Sequence, residues 1–230
     1  MTILFSSAIG SASSTFTKRL EHYLDCKSMQ LKIHGGIGSV FIKLRARDIL
    51  LNSLKLNFLR HKPKLIIGHI FATNYNLKLI NHFYDIRHTI ISYRNIFDQL
   101  NYHYKREKND KKSPLGFKEN YKRDKNFDQN NYDIDLSLLL TLNYYKQWFY
   151  LIQNNLIKNY SLFSFQEITT QNDEYKSKIT KIFNVHNFEN KIVENLRPNE
   201  KFVPHERHVS IINEYIKSNK EIDFSLILKK

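Results

Sequence analysis

The chain of 230 residues has a single cysteine, Cys26, and few strongly hydrophobic stretches. One cysteine can form neither an internal disulfide nor a thiolate zinc cluster, so nothing indicates an oxidising compartment. No apolar run reaches the roughly 18 residues that a membrane-spanning helix needs. Residues 2–12 are not preceded by basic residues, as a secretory signal would be, and we interpret their apolar start as a buried strand. These features predict a cytoplasmic protein without a transmembrane segment.

Positive charge predominates in the chain. Lysine and arginine number 36 against 22 acidic residues, which gives a formal charge of +14 and an isoelectric point near 9.6. This balance favours anionic partners such as nucleotides, acidic glycans, nucleic acid or membrane surfaces. Part of it reflects a composition rich in Lys, Asn, Ile, Tyr and Phe, as AT-rich coding produces. Basic and acidic residues are interspersed and no recognition module is present, so we expect no specific nucleic-acid partner.

Short apolar runs alternate with segments of helical periodicity. After the first run, strands are predicted at residues 31–33, 65–67, 89–92 and 161–165, and helices at 16–24, 45–59, 75–84, 96–105, 136–157, 175–183 and 209–216. This alternation predicts a single α/β domain over residues 1–230, with three layers and a mostly parallel central sheet flanked by helices. Residues 105–131 are poor in aliphatic side chains and rich in Lys, Arg, Asn and Asp, which predicts a basic loop or lid.

Small and hydroxylated residues follow the first predicted strand, in the sequence Ile9-Gly10-Ser11-Ala12-Ser13-Ser14-Thr15. Small side chains let backbone N–H groups approach a phosphate, and the helix that follows adds the positive end of its dipole. The Gly-Lys-Ser/Thr ending of a Walker A loop is missing, which disfavours ordinary ATPase or GTPase chemistry. The segment is therefore a candidate anion-binding loop, and the alternative is that Ser13 or Ser14 caps the helix.

Two further strand ends carry candidate functional residues. Gly68 and His69 end the strand that begins at residue 65, and a histidine there could accept a proton from an attacking hydroxyl. Its alternative role is that of a hydrogen-bonded structural residue. Arg94 ends the next strand, where its planar guanidinium suits a phosphate. The alternative for Arg94 is a surface ion pair with Asp98.

These strand-end motifs, in this order, resemble the sulfotransferase family that uses 3′-phosphoadenosine 5′-phosphosulfate. The stretch 11–17 is similar to the phosphosulfate loop of heparan-type 2-O-sulfotransferases, Gly68-His69 to their Gly-His motif, and 94–98 to their Arg-Asp/Asn-Pro-x-Asp segment. Residues 145–148 resemble the Trp-bearing helix of the family, and 164–168 its strand-borne Arg-Tyr-Glu-Asp-Leu. The resemblance covers roughly residues 2–184 and implies a P-loop NTPase-like sulfotransferase fold.

The resemblance also implies roles for individual residues. His69 would be the catalytic base, and Arg94, with Asn101 or Tyr102, would hold the 3′-phosphate of the donor. No metal is implied. The acceptor would be a hydroxyl of a saccharide, lipid or small metabolite, and the basic loop favours an acidic glycan or lipid. The 5′-phosphosulfate would lie against the residues of the loop, which are Gly10, Ser11, Ala12, Ser13, Ser14 and Thr15.

The loop departs from the family pattern at Gly10, where the family has a lysine or arginine that neutralises the leaving group. Lys18 lies two helical turns further on, too distant to replace that cation, so a residue from the basic loop or from 197–208 would have to do so. Ile96 also stands in the place of the family's proline. Three hypotheses follow: an active sulfotransferase, a nucleotide- or anion-binding module of the same fold without catalysis, and a nucleic-acid binder. We otherwise interpret 197–208 as a surface loop with a helix cap.

Overall fold

The computed structural model describes residues 2–8, 10–31, 40–41, 46, 49, 64–110, 129–186, 188 and 203–229. The strands in this part of the chain are β1 (Thr2–Ser7), β2 (Met29–Gln30), β3 (Val40–Phe41), β4 (Leu65–Ile70), β5 (Ile86–Tyr93) and β6 (Tyr160–Ser164). The helices are α1 (Ser13–Tyr23), α2 (Asn74–Tyr84), α3 (Ile96–Asp110), α4 (Gln129–Gln153), α5 (Phe165–Thr170), α6 (Asp173–Phe183), α7 (Glu206–Lys217) and α8 (Ser225–Leu228).

The strands form a parallel sheet in the order β2-β4-β1-β5-β6, and β3 also pairs with β4. All six residues of β1 are buried, as expected for a central parallel strand that is covered on both faces. The predicted α/β class and parallel sheet are therefore confirmed. No helix in the described ranges is both long and apolar enough to cross a bilayer.

Two apolar layers hold helices on opposite faces of the sheet. Ile3 and Phe5 pack with Phe16 of α1 on one face, together with residues of α5 and α6. Leu4, the residue between them, packs on the other face against residues of α2, α4 and α7, and Trp148 lies in that layer. Alternate residues of a strand point to opposite faces, which explains why one short run contributes to both layers.

The connections place the ends of three strands side by side. From β1 the chain passes to β2 and then to β4 on one side of β1, whereas β5 and β6 lie on the other side. Parallel strands end at the same edge of the sheet, and ligands of open α/β sheets bind where the strand order reverses. A functional site is therefore expected at the edge formed by the carboxyl ends of β4, β1 and β5.

The end of β6 differs from the sequence-based prediction. The strand ends at Ser164, and Phe165 begins α5. The Ser164 side chain accepts a hydrogen bond from the Glu167 N–H, and the Glu167 carboxylate accepts one from the Ser164 N–H. This capping box starts a helix inside the segment 164–168, so the prediction that these residues lie on a strand is wrong beyond Ser164.

Other bounds also differ from the predictions. Helix α4 covers residues 129–153 instead of 136–157. Strand β2 covers 29–30, and two of the residues of the strand predicted at 31–33 lie outside the described part of the chain. The predicted basic loop is helical at both ends, because α3 continues to Asp110 and α4 begins at Gln129. Residues 111–128, most of the predicted helix 45–59, and 197–202 lie outside the described residues. His205 caps α7 by accepting a hydrogen bond from the Arg207 N–H, which confirms the predicted helix cap.

Candidate functional site

The turn between β1 and α1 has an unusual backbone. Gly10 has a φ of 82°, and Ala12 adopts the left-handed conformation with a φ of 62°. Ala12 is the N-cap residue of α1, and its methyl group cannot accept a hydrogen bond from the N–H groups of the first turn. Ser13 and Ser14 lie inside that turn, so the interpretation of either as the helix cap is wrong. The loop thus presents uncapped N–H groups at the positive end of a helix dipole.

Ser11 fixes the shape of this loop. Its side chain is fully buried, and its hydroxyl donates to the Ala8 carbonyl at 2.7 Å and lies 2.9 Å from the Ser92 hydroxyl of β5. The hydroxyl therefore ties the loop to the neighbouring strand. The side chains of Ser13 and Thr15 are half-buried and that of Ser14 is exposed.

Tyr102 of α3 packs directly over Gly10. A Cβ atom added at Gly10 would lie 2.6 Å from Cδ1 of the Tyr102 ring, closer than any real contact. The glycine is therefore required both by its positive φ and by the ring above it. Tyr102 was predicted as one of two contacts to the 3′-phosphate, and its ring lies beside the loop; Asn101, the other, is half-buried.

Arg94 joins the end of β5 to the loop. Its Nη1 donates to the Gly10 carbonyl at 3.0 Å, and its guanidinium carbon lies 3.9 Å from the centre of the Phe165 ring. Its backbone N–H donates to the Tyr145 hydroxyl at 3.0 Å. The side chain is half-buried and directed at the loop, unlike the surface arginine of the alternative interpretation. Planar stacking of this kind orients the guanidinium while leaving its other N–H groups able to donate.

The electrostatics of Arg94 favour an anion. Burial lowers the pKa of its guanidinium, although arginine keeps its charge in proteins. Its Nε atom is buried and has no hydrogen-bond partner among the described residues. A buried cationic donor without a partner is costly, and the same guanidinium contacts the loop through Nη1. The residues present therefore fit a phosphate or phosphosulfate group.

His69 lies on the opposite side of β1. Its Nδ1 atom is 2.7 Å from the Ser7 carbonyl oxygen and 3.1 Å from the Ser7 hydroxyl. A carbonyl only accepts hydrogen bonds, so Nδ1 carries the proton and Nε2 is the basic nitrogen. This bond fits the structural role of His69, and it also selects the tautomer that a general base needs.

The candidate site consists of the small-residue loop, a guanidinium and an imidazole. The sequence placed each of these at a strand end, but it did not indicate what holds them. Phe165 and Tyr145 were noted for family resemblance rather than for contact with Arg94, and Ser92 was not singled out. The sequence could have identified Ser92, because it is a hydroxyl-bearing residue at the end of a buried strand, immediately before Tyr93. No group of three or more metal-ligating side chains is present in the described parts of the chain.

Comparison with known proteins gives no assignment. No protein-family model matches the chain, and no curated protein matches it significantly. A functional assignment therefore depends on the geometry at the edge of the sheet.

Proposed function

We propose that this protein is a sulfotransferase with a P-loop-like fold, which transfers a sulfuryl group from 3′-phosphoadenosine 5′-phosphosulfate to a hydroxyl. One observation carries the proposal: the small-residue loop, His69 and Arg94 lie at the carboxyl ends of three adjacent parallel strands. An anion site with a correctly protonated imidazole next to it is what transfer of an anionic group to a hydroxyl requires.

The donor would be bound mainly by backbone groups. The N–H groups of residues 13–15 at the start of α1, together with the helix dipole, would hold the phosphosulfate. Arg94 would donate to a phosphate of the donor, since its guanidinium already lies at the loop. Preorganised donors of this kind stabilise developing charge without rearranging during the reaction.

The transfer itself would proceed in line. The acceptor oxygen forms a bond to sulfur while the bond from sulfur to the bridging oxygen breaks, and the electron pair of that bond remains on the 5′-phosphate. The proton of the acceptor hydroxyl passes to Nε2 of His69, whose Nδ1 proton is held by the Ser7 carbonyl. The products are a sulfate ester and 3′-phosphoadenosine 5′-phosphate.

The acceptor would be a hydroxyl of a saccharide, a lipid or a small metabolite, with the reaction taking place in the cytoplasm. The formal charge of +14 favours an acidic acceptor, because a positive surface attracts anionic molecules and speeds their encounter.

The second candidate is a module of the same fold that binds a nucleotide without catalysing transfer. Gly10 favours it, because no side chain at this position can neutralise the leaving group and Tyr102 occupies the adjacent space. Removing one preorganised donor from an active site typically costs about 3 kcal/mol of transition-state stabilisation.

Two measurements on the purified protein test the proposal. The first is calorimetric titration with 3′-phosphoadenosine 5′-phosphate, for which we expect micromolar affinity. The second is transfer of labelled sulfuryl from the donor to a panel containing an acidic glycan, a glycolipid and a simple phenol, measured for the native protein and a His69→Ala variant.

The outcomes separate the two candidates. Transfer that depends on His69 supports the enzyme, whereas nucleotide binding with no transfer to any member of the panel favours the binding module. Absence of nucleotide binding to the native protein overturns both.

A further inference from the structure

The backbone at Gly10 excludes the cation that the family places there. Its φ of 82° is strained for any residue with a side chain, and a Cβ atom would lie only 2.6 Å from the Tyr102 ring. A lysine or arginine at this position would have to displace the ring as well as adopt the strained conformation. The loop is therefore shaped for a residue without a side chain, and positive charge has to come from elsewhere.

A cation from the end of β5 is bonded to Gly10 itself. Nη1 of Arg94 donates to the Gly10 carbonyl, 84 residues earlier in the chain. A guanidinium has five N–H donors, and this bond uses one of them. The Nε donor, which is buried and has no hydrogen-bond partner in the described ranges, is part of the same planar group.

Other contacts hold the guanidinium in this place. Phe165 lies under it, with 3.9 Å between the guanidinium carbon and the ring centre. The backbone N–H of Arg94 donates to the Tyr145 hydroxyl, which in turn donates to the Gln99 side chain at 2.9 Å. A side chain that is fixed at both its backbone and its head is preorganised for an anion in the loop.

We propose that Arg94 is the cation of the loop: it binds the 5′ anion of the donor and neutralises the leaving phosphate, in the role that a side chain at position 10 cannot fill. The inference rests on the proposed function. It differs from the family resemblance, which implies that Arg94 binds the 3′-phosphate of the donor. If so, Arg94 contributes equally to the binding affinity of nucleotides with and without a 3′-phosphate.

The test is a comparison of two nucleotides on three proteins. Affinities of 3′-phosphoadenosine 5′-phosphate and adenosine 5′-phosphate are measured by calorimetry for the native protein, Arg94→Ala and Arg87→Ala. Arg87 lies near the other end of β5, where it is exposed and paired with Asp85, so its variant controls for the loss of one positive charge. Folding of each variant is checked by circular dichroism and thermal melting.

We expect Arg94→Ala to weaken both nucleotides by about ten- to a hundredfold and by the same factor within about threefold, as loss of a charge-assisted hydrogen bond predicts. Arg87→Ala should leave both affinities unchanged. A loss more than about threefold larger for the nucleotide with a 3′-phosphate would overturn the inference, and so would unchanged affinity for both. If Arg94→Ala does not fold, Arg94→Lys replaces it, because lysine keeps the charge without the planar guanidinium. This variant should weaken the binding of both nucleotides by the same factor.

Inorganic pyrophosphate separates this inference from the proposed function. If the native protein binds neither nucleotide but binds pyrophosphate in a manner that depends on Arg94, the sulfotransferase proposal fails and the assignment of Arg94 to the loop stands. If pyrophosphate binding is absent or does not depend on Arg94, and no nucleotide binds, both fail.

Discussion

The imidazole Nδ1 of His69 lies 2.7 Å from the carbonyl oxygen of Ser7, on the strand next to its own. The two residues are separated by 62 positions in the chain and are brought together by the pairing of β1 with β4. This bond uses Nδ1, whereas the proposed base is Nε2. A substitution can therefore remove the base and keep the hydrogen bond.

Replacing His69 with asparagine should remove the base and keep the bond. An asparagine side chain can still donate to the Ser7 carbonyl, so we expect little change in stability or in affinity for 3′-phosphoadenosine 5′-phosphate. Sulfuryl transfer should fall by about 10² to 10⁴, the usual contribution of a general base. Rates are measured at saturating donor, with the exposed His82→Asn as control. Transfer at the native rate would exclude His69 as the base.

Gly10→Ala should destabilise the protein by about 1 to 3 kcal/mol, because the new methyl group requires a strained φ and meets Tyr102. Urea unfolding measures the change. The same substitution in a Tyr102→Ala background removes the steric part and leaves the backbone part, so the difference between the two measures the contact. Equal effects in both backgrounds would show that the ring does not restrict position 10.

Tyr145→Phe should destabilise the protein by about 1 to 3 kcal/mol. The Tyr145 hydroxyl is buried, accepts from the Arg94 N–H and donates to Gln99, so its removal breaks two hydrogen bonds. Tyr150→Phe is the matched control, since Tyr150 is on the same helix and exposed. Both are compared by chemical denaturation, and similar values for the two variants would contradict the assigned hydrogen bonds.

His88 should make stability depend on pH. Burial lowers the pKa of its imidazole below the ordinary value of 6.5, and its Nε2 lies 3.0 Å from the Ser161 hydroxyl. A lowered pKa means that the unfolded chain binds the proton more readily, so the free energy of unfolding falls as the pH drops below about 6.5. The slope from this group is at most about 1.4 kcal/mol per pH unit.

The His88→Gln variant should have a shallower decline of stability between pH 6.5 and 5 than the native protein, as measured by denaturation at a series of pH values. His82→Gln, on the exposed face of α2, serves as the control and should follow the native curve. A native-like slope in His88→Gln would assign the effect to another group.

The accuracy of the sequence-based predictions depended on how local each signal was. The buried run at Thr2–Ser7 and the strand at Leu65–Ile70 follow from apolar residues close together in the chain, and both are confirmed. The helix start at Phe165 was missed because an aromatic residue after a buried strand continues the strand pattern. The helix begins at Phe165 because Ser164 and Glu167 cap each other, and hydrophobic periodicity does not detect such a side-chain interaction.

The sequence by itself determined the α/β class, the parallel sheet and the presence of small, histidine and arginine residues at strand ends, because periodicity and strand-end chemistry are properties of neighbouring residues. Only the tertiary structure decided what those residues contact. The order of strands puts β1 between β4 and β5, and that order joins His69 to Ser7 and Arg94 to Gly10. These partners are distant in the chain. Every residue has a carbonyl oxygen that could accept such a bond, so only the packing of the sheet determines which one does.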